Sequence, residues 1–167
     1  SAASDVYKRQ LLFIFALLSL PQFSQSLEYQ SQGWRFPKQK LIKVTNSPYG
    51  QLTVSQSPQS KQYNFYQSGL WLASNQEIPF NESLAHFPLL FHHQPQNILL
   101  VGYGFAGLIK EILKHQPTQI YYLELNPWLI NTAWPYLPSH LQKTLRDQKV
   151  KIIYQDGRYF LKNPLPK

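Results

Sequence analysis

Polar and apolar residues alternate from Leu41 onward. Leu41-Ile42-Lys43-Val44, Gln51-Leu52-Thr53-Val54 and Gln62-Tyr63-Asn64-Phe65-Tyr66 have the period-two pattern of strands with one buried face. Ser47-Pro48-Tyr49-Gly50 and Ser57-Pro58-Gln59-Ser60 are turn sequences between them, and a further short strand, Leu70-Trp71-Leu72, follows Ser68-Gly69. The spacing predicts a small antiparallel β-domain over residues 41–80.

The period then changes. Asn81 is placed to cap a helix beginning Glu82-Ser83-Leu84-Ala85-His86, which Pro88 should kink or split. The run Asn97-Ile98-Leu99-Leu100-Val101 is of the kind buried on both faces of a parallel sheet. A glycine-rich turn, Gly102 to Gly107, leads into helical spacing over Leu108 to His115, which Pro117 stops. A second strand, Ile120 to Glu124, a helix from Pro127 to Ala133, and a third strand, Val150 to Tyr154, follow. Strand, helix, strand, helix, strand is the first half of a Rossmann-like doubly wound α/β fold, expected over residues 81–167 with one sheet edge unpaired.

Upstream of these elements the pattern fades. Residues Ser1 to Gln10 carry no periodicity and read as vector- or adaptor-derived. After Lys8 and Arg9, the uncharged run Leu11 to Leu20 closes at Pro21, with small residues at Ser24 and Ser26. Three readings fit residues 11–26: a signal peptide, the end of a transmembrane anchor, or a helix of the core. The first two imply an exported or membrane-associated protein and the third a cytoplasmic one. Residues 27–40, rich in Gln and Ser, read as a linker from which Trp34 and Phe36 dock.

Composition narrows the chemistry. Among 167 residues 43% are hydrophobic and 15% aromatic, enough for a buried core in one domain of ordinary size. With no cysteine, disulfides, thiolate metal sites and cysteine nucleophiles are excluded, and the absent methionine suggests a piece of a longer frame. The net charge of +8 is spread thinly, with no run of three basic residues, so it reads as a solvated basic surface and no specific nucleic-acid site is expected. His86, His92 and His93 have no carboxylate at metal-ligand spacing, so no metal is expected.

The constellation that bears chemistry is Gly102-x-Gly104-x-x-Gly107. It directly follows an apolar strand, directly precedes a helix, and is followed 17 residues after Gly107 by Glu124 at the end of the next strand. Glycines let a backbone approach a ligand, and a carboxylate at that strand end can accept both ribose hydroxyls. Asp156, followed by Gly157, closes the third strand, where the same crevice presents it to a base. Together these point to an adenosine-type ligand. Trp128, Trp134 and Tyr136 are core residues or an adenine wall.

From Ser47 to Leu161 these residues resemble the spermidine synthase family, of methyltransferase-type fold. Ser47-Pro48-Tyr49-Gly50 is similar to the start of that family's β-domain, Tyr66-Gln67-Ser68-Gly69 falls where members have Leu-Asp-Gly, and Glu82, Leu84 and His86 fall in its Tyr-His-Glu segment. Gly102 to Gly107 with Lys110 to His115 match its nucleotide loop and helix, and Glu124 and Asp156 match its ribose- and adenine-binding acids. The resemblance implies a transferase that binds an S-adenosylmethionine-type nucleoside as substrate, through Gly102, Gly104, Gly107, Glu124, Asp156 and Gly157, and passes an aminopropyl group to a polyamine. A homodimer, and membrane association through the N-terminus, complete the partners expected.

The departures are specific. Phe105 stands where the family's loop has the Asp that holds the ligand's amine, Leu72 where it has Gln, Phe80-Asn81 where it has Tyr-His, and Asn126 where it has Asp. The family's catalytic Asp belongs to a loop after a fourth strand, past Lys167, so this chain alone is expected to be inactive. An S-adenosylmethionine-dependent methyltransferase and a non-catalytic nucleoside-binding domain are the alternatives.

Overall fold

The computed structural model describes the backbone of residues 2–18 and 21–163. The alternating runs become β1 (Lys40–Ser47), β2 (Gly50–Gln56), β3 (Tyr63–Gln67) and β4 (Leu70–Ser74), an antiparallel sheet in the order β1-β2-β3-β4. Each strand pairs with the next because the connections are short enough to reverse the chain directly, as between Ser47 and Gly50. A second sheet, in the order β5-β6-β7, holds β5 (Asn97–Val101), β6 (Gln119–Leu123) and β7 (Val150–Ile153), all parallel. Parallel pairing needs crossovers, and helices supply them: α4 (Leu108–Leu113) between β5 and β6, then α5 (Pro127–Ala133) and α6 (Ser139–Leu145) between β6 and β7. α3 (Ile78–Leu90) joins the two sheets and α7 (Gly157–Lys162) follows β7. The fold is the α/β class expected, a methyltransferase-type parallel sheet preceded by a small antiparallel one.

One apolar cluster serves both sheets. Leu52, Val54, Phe65 and Ala73 from the antiparallel sheet share it with Phe105, Ile109, Ile120 and Tyr122. The join is tightest where Phe65 meets Phe105 edge-on, with ring centroids 5.3 Å apart. The loop that follows β5 is therefore clamped between the two sheets by apolar packing.

Several local expectations change. β5 is not buried on both faces: Leu99 and Val101 are 40% and 58% exposed, while Ile98 and Leu100 pack on the core. The reason is position, since β5 ends the strand order and none of the described residues buries its outer face. Asn81 is not a cap. α3 begins earlier, with Pro79 in its first turn, and Asn81 is buried inside it. Pro88 neither ends nor divides α3, which continues to Leu90.

Upstream, α1 (Ala2–Leu18) and α2 (Pro21–Arg35) occupy the segments read as adaptor, signal-like run and most of the linker. Leu20 and Ser19, within the signal-like run, lie outside the described residues. No helix among the described residues is long and apolar enough to cross a membrane. Of the two aromatic residues expected to dock, Phe36 does so, against Tyr66 at 4.5 Å between centroids, whereas Trp34 is 85% exposed.

Candidate functional site

The three parallel strands end level, because Val101 pairs with Leu123 and Leu123 with Ile153. The ladder continues one step further: Gly102 N donates to the Leu123 carbonyl (2.8 Å) and Glu124 N to the Ile153 carbonyl (2.9 Å). Gln155 N then donates back to the Glu124 carbonyl (3.2 Å). Gly102, Glu124, Asp156 and Gly157 consequently lie along one rim, whereas Gly104 packs inward on Tyr122 and Gly107 on Asn81. Gly157 closes it, since a Cβ there would stand 2.8 Å from Val101 Cγ1.

Two loop glycines have packing reasons of their own. A Cβ on Gly104 would meet the Tyr122 ring at 2.8 Å and Ile109 Cδ1 at 2.9 Å, so the loop lies on Tyr122 only because that position is bare. Gly107 has φ +118° and would strike Asn81 Nδ2 at 2.8 Å. A side chain at Gly102, by contrast, would meet nothing within 4 Å, which leaves the start of the loop open to a ligand.

Glu124 is 6% exposed, and both carboxylate oxygens are held. The Tyr122 hydroxyl donates to Oε2 (2.8 Å) and Asn126 N donates to Oε1 (3.0 Å). Burial first, and the Glu124 carboxylate second, push the Tyr122 phenol well above its ordinary pKa, so it stays a donor. The backbone of Gly104 and Phe105 acts the other way, lowering that pKa, so the glycine loop and Glu124 both bear on one hydroxyl. Each carboxylate oxygen has a further lone pair, so the pair of oxygens can still accept from a ligand diol.

Asn126 binds the site to the antiparallel sheet. Its Oδ1 accepts from Trp128 N (3.1 Å) and caps α5, while its Nδ2 donates to Ser47 Oγ (3.2 Å) in the β1–β2 turn. An ionised Asp, which the family pattern has here, could cap but not donate. The same turn brings Tyr49 to Trp128, with centroids 6.4 Å apart, and both rings remain 42% exposed. Tyr154, half-exposed on the β7 side, has its pKa raised by burial and then by Glu124. Exposed aromatic rings thus follow both strands, Trp128 with Tyr49 after β6 and Tyr154 after β7.

Asp156 is arranged differently. Its Oδ1 accepts from Arg158 N (2.8 Å) and Tyr159 N (3.1 Å), capping α7. The Tyr159 hydrogen bond, followed by that of Arg158 and its charge, outweighs desolvation and holds the carboxyl below the usual carboxylate range. It is therefore ionised at neutral pH.

The departures also find their places. Phe105 is 1% exposed in the join between the sheets, so no carboxylate stands at the amine-binding position of the loop. Phe80 packs edge-on against Tyr103 at 5.5 Å. Among the described residues Glu82 forms an ion pair with Lys114 alone (3.9 Å), and both side chains are about half exposed. Trp134 lies beneath the Arg146 guanidinium and Tyr136 packs on Tyr63. Unforeseen in the sequence is a contact between α3 and the end of α4: His86 Nδ1 lies 2.7 Å from His115 Nε2, and His86 Nε2 lies 3.5 Å from Glu111 Oε2. No group of three or more side chains suited to a metal ion occurs among the described residues.

Comparison with known proteins agrees with this geometry. The family model described as spermine/spermidine synthase domain matches residues 77–166. The polyamine aminopropyltransferase of Pseudomonas syringae pv. tomato is 23% identical over 138 residues, covering 82% of this chain and 48% of that protein. Polyamine aminopropyltransferase 1 of Aquifex aeolicus is 28% identical over 125 residues, covering 74% and 44%. The chain spans about half the length of the curated relatives it matches. Among solved structures, spermidine synthase from Thermotoga maritima superposes with a TM-score of 0.64 at 24% identity, covering 73% of this chain and 43% of that one. A spermidine synthase in complex with the transition-state analogue AdoDATO gives 0.66 at 23% identity, with the same coverages. Both likenesses establish the fold.

Proposed function

The chain belongs to the spermine/spermidine synthase domain family, and on that premise we propose that its strand-end rim binds an adenosyl sulfonium nucleoside or its product methylthioadenosine. The reaction that goes with this reading is aminopropyl transfer to a polyamine. The observation that carries this reading is the Glu124 carboxylate, buried and fixed from both sides next to a loop whose first glycine faces open space. The groups present suit the ligand: two carboxylate oxygens to accept from the ribose diol, ionised Asp156 to accept from the adenine amino group, and the exposed faces of Trp128, Tyr49 and Tyr154 for the base.

The chemistry assigns a limited part to these residues. Aminopropyl transfer is an in-line attack by a neutral amine on the methylene beside the sulfonium; the C–N bond forms as the C–S bond breaks and methylthioadenosine leaves. Glu124 and the loop orient the nucleoside so that the methylene presents its back to the amine. A carboxylate must also take the attacking ammonium's proton. On this reading Glu124 serves the ribose and Asp156 the adenine amino group, and Glu82 lies near Lys114 (3.9 Å), so none of the three is assigned as that base. Phe105 removes the loop carboxylate that would hold an amine tail, so nucleoside recognition rests on ribose and base. The same loop and acids also suit methyl transfer, which is why the ligands tested are methylthioadenosine, S-adenosylmethionine and decarboxylated S-adenosylmethionine.

Calorimetric titration of the chain with methylthioadenosine is expected to show saturable binding, and Glu124→Ala to weaken it by about 1.5–3 kcal/mol through loss of charged hydrogen bonds. Equal affinity in wild type and variant would remove Glu124 from the site. Preference for S-adenosylmethionine over its decarboxylated form would favour methyl transfer.

A further inference from the structure

β7 ends the strand order of the parallel sheet, so no strand among the described residues pairs with its outer side. The ladder shows which backbone groups that side presents. Ile120 N donates to the Lys149 carbonyl (2.7 Å) and Glu124 N to the Ile153 carbonyl (2.9 Å), so Lys149, Lys151 and Ile153 bond towards β6. The amide and carbonyl of Ile152 and the amide of Tyr154 therefore point away from the sheet, as a template for a further strand.

A groove of about 390 Å³ lies between this strand and the helices α5 and α6. Ile130, Leu145 and Ile152 make it apolar, and Arg146 stands in its wall with the guanidinium 4.6 Å from the centre of the Trp134 ring. Tyr154 alone is shared with the rim proposed for the nucleoside. Side chains alternate along a strand, so Lys149 and Lys151 occupy the face opposite to Ile152. The edge thus has an apolar groove on one face and two lysines on the other.

Its surroundings are basic. Between Lys143 and Lys162 the chain carries six cations and two acids. Both acids are engaged, since Asp147 Oδ1 accepts from Lys149 N (2.9 Å) and Asp156 caps α7. Among the described residues Arg146, Lys149 and Lys151 enter no ion pair. Lysines on an edge strand repel a second copy of a chain that is itself basic, and an acidic strand is their complement. A nucleic acid matches less well: Arg146 already covers one face of Trp134, and phosphates make no use of an outward amide–carbonyl alternation. We propose that the free edge of β7 takes up an extended acidic segment of a partner protein as an added strand, with alternate apolar side chains in the groove and carboxylates over Lys149 and Lys151.

The test is a titration of the isotope-labelled chain with the acetylated and amidated hexapeptide Glu-Val-Glu-Leu-Glu-Val, followed by amide chemical shifts. Saturable shifts are expected at Lys151, Ile152, Tyr154 and Leu145, and not at Leu52 or Phe65 in the antiparallel sheet. The same peptide with lysine in place of glutamate should give none. Two further versions, N-methylated at one or the other alternate set of amides, should differ: one keeps its affinity and the other loses it, because an added strand bonds along one edge only. Lys151→Glu, at an exposed position, should weaken binding by about fivefold, an effect that added salt diminishes. An absence of saturable shifts at β7, equal binding of the lysine peptide, or equal affinity of the two methylated peptides would overturn the proposal. Tighter binding of an oligothymidylate than of the acidic peptide would replace it with a nucleic-acid surface. Gly102, Glu124 and Asp156 take no part in the groove, so failure here leaves the nucleoside reading standing, and failure of nucleoside binding leaves this one standing.

Discussion

The ends of β6 and β7 each carry an acid, and the two are built in opposite ways. Glu124 is buried, with one oxygen held by Tyr122 and the other by Asn126 N, and the second of these residues also ties in the β1–β2 turn. Asp156 is partly exposed, its side chain 40% accessible, and spends one oxygen on the cap of a six-residue helix. On the proposed reading the difference separates two tasks. A carboxylate that must meet a rigid diol gains from being fixed in advance, because the ordering is complete before the ligand arrives. One that reads a single amino group at the rim can remain in water.

Four measurements press on that contrast. The largest effect is expected from Tyr122→Ala, which empties the core beneath the glycine loop and should lower stability in urea by about 3–5 kcal/mol. The equivalent truncation on the other side, Tyr154→Ala, should change it little, since that ring is 50% exposed. Tyr122→Phe keeps the ring and removes the hydroxyl, leaving Glu124 Oε2 without its donor; about 1–3 kcal/mol is expected. Asp156→Ala should lower the melting temperature by less than Tyr122→Phe does, because only an exposed cap is lost. If the order of these last two were reversed, the rim would be organised around Asp156.

The smallest effects are those of pH. Tyr122 has a raised folded pKa, so its stabilising contribution is complete below about pH 10, the ordinary tyrosine value, and is lost as pH rises above it. Alkaline unfolding should therefore be milder in Tyr122→Phe than in wild type, relative to each protein at pH 7. Asp156 has a lowered folded pKa, so its contribution holds above the ordinary carboxylate range and disappears as pH falls through the folded value. The acid limb should flatten in Asp156→Ala.

Much of this architecture was legible in the sequence, for identifiable reasons. β1 to β4 follow from period-two alternation punctuated by Ser-Pro turns, and the rim follows from a glycine loop placed between an apolar strand and a helix. Three things were not legible. An apolar run such as Ile98 to Val101 reports that a strand forms but not what covers its outer face, which depends on neighbours in the sheet. Asn81 has the residue type of a cap, yet Pro79 already starts the helix and the Ala106 carbonyl claims the amide. The contacts Asn126 to Ser47 and His86 to His115 join residues 79 and 29 positions apart, so no local pattern announces them. An Asn-Pro pair opening a helix was the only available hint for Asn126, and it gives the cap without the tie to the turn.

The most direct measurement is calorimetric titration of methylthioadenosine into wild type, Glu124→Gln and Asp156→Asn, two isosteric changes that remove charge at each strand end. The account predicts saturable binding to wild type, a loss of roughly tenfold or more for Glu124→Gln, and a smaller loss for Asp156→Asn. Binding that survives Glu124→Gln unchanged, or that depends on Asp156 more than on Glu124, would contradict it.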